Sequence, residues 1–118
     1  MKAEPTDKYF GIPLGEWIER IPNELEVDAV GLWQIIPVGR DSFALSGDDL
    51  RDFVRRAIMA LLQKGALPVK PEKEEGVFWC RQDHYGDNAD SIAENIIIEW
   101  EKSGVDPDED GLWFTLLT

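Results

Sequence analysis

The stretch "SGDDLRDFVRRAIMALLQKG", residues 46–65, constrains the fold more than any other part of the chain. Leu50, Phe53, Val54, Ala57, Ile58, Leu61 and Leu62 recur at offsets 0, 3, 4, 7, 8, 11 and 12, a spacing that gathers them on one face of a helix. Ser46 stands where a cap belongs, Asp48 and Asp49 complement the positive end of the dipole, Lys64 suits the negative end, and Gly65 supplies a left-handed stop. So amphipathic a helix needs an apolar surface to lie on, and the flanking segments offer one.

A second helix is predicted in "NADSIAENIIIEWEKSG", with Ile92, Ile96, Ile97 and Trp100 as its stripe, Asn88 or Asp90 as cap and Gly104 as its end. Strand signals fill the spaces: "AVGLWQIIPV" before the first helix, "ALPV" and "GVFWC" between the two, and "GLWFTLLT" after the second. The order strand, helix, strand, strand, helix, strand predicts an α+β fold of the split βαβ (ferredoxin-like) kind, a four-stranded antiparallel sheet with both helices on one face. "PLGEWIERIP", built on Leu14, Trp17, Ile18 and Ile21, predicts a short additional helix ahead of it. The 118 residues then form a single domain, with residues 1–28 as an N-terminal extension and 29–118 as the βαββαβ core. A charged turn, "KPEKEEG", joins the second and third strands.

Both sheet faces look apolar. On the first strand Val30, Leu32, Gln34, Ile36 and Val38 alternate with Gly31, Trp33 and Ile35; on the last, Leu112, Phe114 and Leu116 alternate with Trp113 and Leu117. Two helices cover only one face, so the other calls for the Trp17 helix, a second copy of the chain in a homodimer, or another partner. Trp33 and Trp113 are the expected anchors of such a contact, since large aromatics on a half-covered sheet are what interfaces are made from.

Charge narrows the partner. The net charge is −12, with 8 acids and 4 bases in residues 1–45, 3 and 5 in residues 46–71, and 13 and 3 in residues 72–118. The acidic last third repels phosphate backbones and anionic membranes and attracts basic proteins. The aromatic strands also lack the interleaved basic residues of an RNA-reading sheet, which argues against nucleic acid. No apolar run approaches the length of a membrane helix, and the start "MKAEPTDKYF" lacks the apolar core of a secretion signal, so a cytoplasmic protein is expected. Cys80 is the only cysteine, which excludes an internal disulfide.

Three constellations bear on chemistry. Asp106, Asp108, Asp110 and Gly111 match the first half of a calcium loop, but the twelfth position, normally a bidentate Glu, is Leu117. An acidic turn and no metal are the expectation, with Asp106, Asp108 and Asp110, and separately His84, as weak cation-site candidates. "CRQDHYGDN" gathers Cys80, Asp83, His84, Tyr85 and Asp87; it lacks the supporting group that a thiolate nucleophile or a metal centre requires, so neither catalysis nor a cofactor is predicted, and a small-ligand pocket near His84 is the second alternative. Arg51, Arg55 and Arg56 oppose the apolar stripe of the long helix, with Asp48, Asp49 and Asp52 as local partners. The sequence therefore predicts a small acidic protein-binding module of the inhibitor, adaptor or immunity type, without catalytic activity, that meets a basic partner through Trp33, Trp113, Asp106, Asp108 and Asp110.

Overall fold

The computed structural model describes residues 4–72 and 78–116. Along the chain run α1 (Leu14–Arg20), β1 (Val30–Gly31), α2 (Leu32–Pro37), α3 (Gly47–Gln63), β2 (Leu67–Glu72), β3 (Phe78–Arg81), α4 (Ala89–Ser103) and β4 (Trp113–Thr115). The fold is α+β with a four-stranded antiparallel sheet.

The helical stripes of α3 and α4 turn inward as their spacing requires. Leu50, Phe53, Val54, Ala57, Ile58 and Leu61 of α3 are buried, and Ala93, Ile96 and Ile97 of α4 meet them. Asn88 Oδ1 accepts the Ser91 amide at 2.9 Å and Gly104 closes α4 at φ 72°, the left-handed stop that favours glycine. Ser46 occupies the cap position of α3, but its side chain makes no capping hydrogen bond. Arg51 bonds Glu101 at 2.6 Å, and Arg55 pairs with Glu94. Arg51 and Arg55 thus tie α3 to α4, and of the local acids Asp48 lies 3.9 Å from Arg51.

Strand order is β1-β4-β2-β3. The two long connections each pass over one strand, and β4 and β2 are central. The ferredoxin-like order, with the first and third strands in the middle, is not what forms. Opposed residues share a face, so the registers sort the side chains. Val30, Phe114 and Pro68 face the helices, whereas Gly31, Trp113, Val69, Pro71 and Trp79 face the other way. β2 holds two prolines, Pro68 and Pro71; the Pro68 carbonyl accepts the Gln82 amide at 2.9 Å.

The long first strand expected over residues 29–38 is corrected. Only Val30–Gly31 pairs with β4, and the chain then turns into α2 and a π-helical turn, Val38–Ser42. Leu32, Ile35 and Ile36, spaced 0, 3 and 4, are buried together, so the same apolar run satisfies a helical period as well as an alternating one. The helix starts with a cap, Gln34 Oε1 accepting the Gly31 amide at 2.9 Å, while the Leu32 amide still donates to the Leu112 carbonyl at 2.9 Å in register with β4. Farther on, Gly39 presses on α3 so closely that a Cβ would lie 2.6 Å from Phe53 Cδ2.

The leading segment is also reassigned. α1 and the 3-10 turn Ile21–Glu26 pack on α3, with the Trp17 and Phe53 rings 5.2 Å apart. Leu14, Ile18 and Leu25 join the core, so this segment thickens the helical layer and leaves the opposite sheet face to other residues. Ahead of α1, a tight turn is pinned by Asp7, the only buried charged residue among those described: Asp7 Oδ1 accepts the Tyr9 amide at 2.7 Å, and its carbonyl accepts the Gly11 amide at 2.8 Å. The strand expected at "ALPV" continues through Lys70 to Glu72. The rest of the charged turn, residues 73–76, Val77 of the strand expected at "GVFWC", and Leu117 lie outside the described residues.

Candidate functional site

The face turned away from the helices is covered by three tryptophans. Trp113 projects from β4 and Trp79 from β3, their rings 5.5 Å apart across the intervening β2. Trp33, on the first turn of α2, stands edge-on to Trp113 at 6.0 Å, an arrangement aromatic quadrupoles favour. Under this layer Val69 is fully buried, while each tryptophan keeps part of its surface in solvent. Gly31 makes the closure possible: a Cβ there would lie 2.6 Å from the Trp33 ring and 3.1 Å from Trp113 Cε3. The indole nitrogens differ. Trp113 Nε1 donates to the Glu109 carbonyl at 2.9 Å, whereas Trp33 Nε1 is buried with no hydrogen-bond partner among the described residues.

The Glu109 contact brings the acidic loop to the edge of the aromatic layer. Within that loop the carboxylates do not converge. Asp106 pairs with Arg40 of the π-helical turn and accepts Trp100 Nε1 at 3.0 Å. Partial burial works against its charge, but the Arg40 and Trp100 hydrogen bonds outweigh it and hold the carboxyl below its ordinary value. Asp108 folds the turn instead, Oδ1 accepting the Asp110 amide at 2.9 Å and its carbonyl the Gly111 amide at 3.0 Å, the usual work of an Asp in a tight turn. Among the described residues no group of three His, Cys, Asp or Glu side chains is placed to hold a metal ion. Asp108, Glu109 and Asp110 are exposed.

Sequence-predicted residues therefore divide. Trp33 and Trp113 come together, with Trp79 completing the layer, and Asp108 and Asp110 lie in the loop that reaches Trp113 through the Glu109 carbonyl; Asp106 is turned toward Arg40 and Trp100 and positions the loop. His84 is exposed and lies on the Tyr85 ring at 4.1 Å. Cys80 is exposed, its thiol 3.9 Å from the Arg81 carbonyl. Tyr85 is buried and donates its hydroxyl to Glu99 at 2.8 Å; burial and that carboxylate together raise its pKa. A cavity of about 140 Å³ lies under the acidic loop, between Lys70, Glu99, Trp100 and Leu112, and His84 is not in its wall. Sequence reasoning missed the turn that exposes Tyr9 and Phe10; two adjacent aromatics inside an Asp-to-Gly turn, outside any periodic segment, were its signal.

No protein-family model, no curated protein and no solved structure matches this chain. Among the described residues no helix is long and apolar enough to cross a membrane.

Proposed function

We propose that the chain is a small acidic, non-catalytic protein-binding module of the cytoplasm, of the inhibitor, adaptor or immunity type, and that it takes a basic segment of its partner on the Trp33–Trp113–Trp79 layer. The observation that carries this reading is the junction at Glu109, where the aromatic layer meets the exposed carboxylates of Asp108, Glu109 and Asp110. A guanidinium or ammonium group is drawn to an indole face, and more strongly with a carboxylate beside it. The acidic last third adds long-range attraction, which speeds encounter with a basic surface and selects against acidic ones. Asp106 contributes indirectly, by fixing the loop against Arg40 and Trp100.

Titration of the full chain with an arginine-rich peptide, read by tryptophan fluorescence, tests this. The response should saturate, weaken as salt is added, and lose about tenfold or more in affinity in Trp113→Ala, as expected for an interface anchor. Equal responses to arginine-rich and glutamate-rich peptides, or unchanged binding in both Trp33→Ala and Trp113→Ala, would sink the proposal.

A further inference from the structure

The turn before α1 holds two aromatic side chains out of the protein: Tyr9 is 65% and Phe10 82% exposed. It is not a loose end. Besides the Asp7 bonds, the Asp7 amide donates to the Ile12 carbonyl at 2.8 Å, the Lys8 amide to the Ser42 carbonyl at 3.0 Å, Thr6 bridges Pro13, and Gly11 sits at φ 70°. A rigid turn that presents aromatics loses little conformational freedom on contact, which is what interface anchors require. Lys8 lies with Nζ 5.0 Å from the centre of the Tyr9 ring, so the knob is aromatic with one positive charge.

A cleft of matching character lies nearby. It has a volume of about 360 Å³, apolar walls from Trp17, Ile21, Ile35 and Val38, and two carboxylates, Glu24 and Asp28, in its lining. Its size falls within the ~300–1,000 Å³ of pockets that accept small organic groups. Val38 opens the π-helical turn whose last residue, Ser42, holds Lys8, so one short segment joins cleft and knob. A knob and a cleft joined by one short segment suit a two-fold axis between two copies, each knob entering the other's cleft. Charge agrees: Lys8 complements Glu24 and Asp28, and residues 1–45 carry far less negative charge than the last third.

From this juxtaposition we infer that the occupant of the cleft is the Lys8-Tyr9-Phe10 turn of a second copy, in a reciprocal homodimer formed on the α1 side and distinct from the tryptophan face. Sedimentation of the full chain, from about 1 µM to about 1 mM at fixed salt, spans the range in which such weak association shows. A monomer–dimer equilibrium is expected, with Phe10→Ala weakening the dimer about 30-fold, as for a hot-spot anchor. Lys8→Glu and Glu24→Lys, both at exposed positions, should each weaken it, and the double variant should recover part of the loss. A monomer at every concentration, a dimer indifferent to Phe10→Ala, or a double variant no tighter than either single one each overturns the inference. So does a monomer whose Phe10 instead drives pelleting with phospholipid vesicles.

Discussion

Phe114 and Trp113 are neighbours on β4 whose side chains leave in opposite directions, and the layers they enter are built differently. Phe114 belongs to one buried cluster with aliphatic and aromatic side chains of α2, α3 and α4. Trp113 meets two other tryptophans and a loop carbonyl in a layer one side chain deep, wet on its outer surface. A face can thus be shielded from water either by a second layer of backbone elements or by large rings lying over it. The first way is rigid because every contact is backed by another. The second leaves rings with solvent on one side, free to shift without opening a void, and so suited to taking a partner.

The largest expected effect separates the two layers directly. Phe114→Ala should cost about 3–5 kcal/mol, the range for a fully buried Phe, and Trp113→Ala about 1–3 kcal/mol, because part of its ring is already hydrated. Urea denaturation checks both; equal losses would mean that the tryptophan layer is as enclosed as the core, and the comparison would fail. Two glycines sharpen it. In Gly39→Ala the new methyl meets Phe53, buried in α3, whereas in Gly31→Ala it meets the Trp33 ring, which has solvent to move into. Gly39→Ala should therefore be the costlier, toward the upper part of the ~1–3 kcal/mol typical of overpacking, as urea denaturation of the two variants would record. The smallest effect concerns the loop that edges the layer. Asp106 is substantially exposed, so Asp106→Asn should cost less than about 1 kcal/mol at neutral pH. Its carboxyl is lowered in the folded state, so its contribution is full above the ordinary value of 3.8 and fades as pH falls through the folded one. The variant should match the parent in strong acid and trail it slightly above about pH 4, as thermal unfolding across pH would record.

The helical layer was legible because α3 and α4 carry their period, end glycines and polar faces locally. Residues 29–38 were not, since Leu32, Ile35 and Ile36 fit a helix while Val30, Leu32 and Ile36 fit a strand. The helix begins at the Gln34 cap on the Gly31 amide, and how far the strand before it runs depends on its pairing with Trp113 and Phe114, far along the chain. The same holds for the site. Trp33 and Trp113 were recognisable as interface-prone, but their meeting depends on that helical turn, and the fate of Asp106 depends on Arg40, 66 residues earlier. Strand order is non-local in the same way, because nothing within β4 marks it as central.

The second proline of β2 has a consequence for how the chain behaves in company. Backbone groups alternate sides along a strand; since the Pro68 carbonyl serves Gln82 beside β3, Pro71 directs its ring nitrogen to the opposite side, beyond the point where β4 stops pairing at Val69. An incoming strand that tried to extend the sheet there would find no amide proton to accept. With β1 only two residues long at one border and β3 four at the other, the sheet offers little template for runaway strand addition, so even a solution concentrated enough to pair copies should resist growing fibrils.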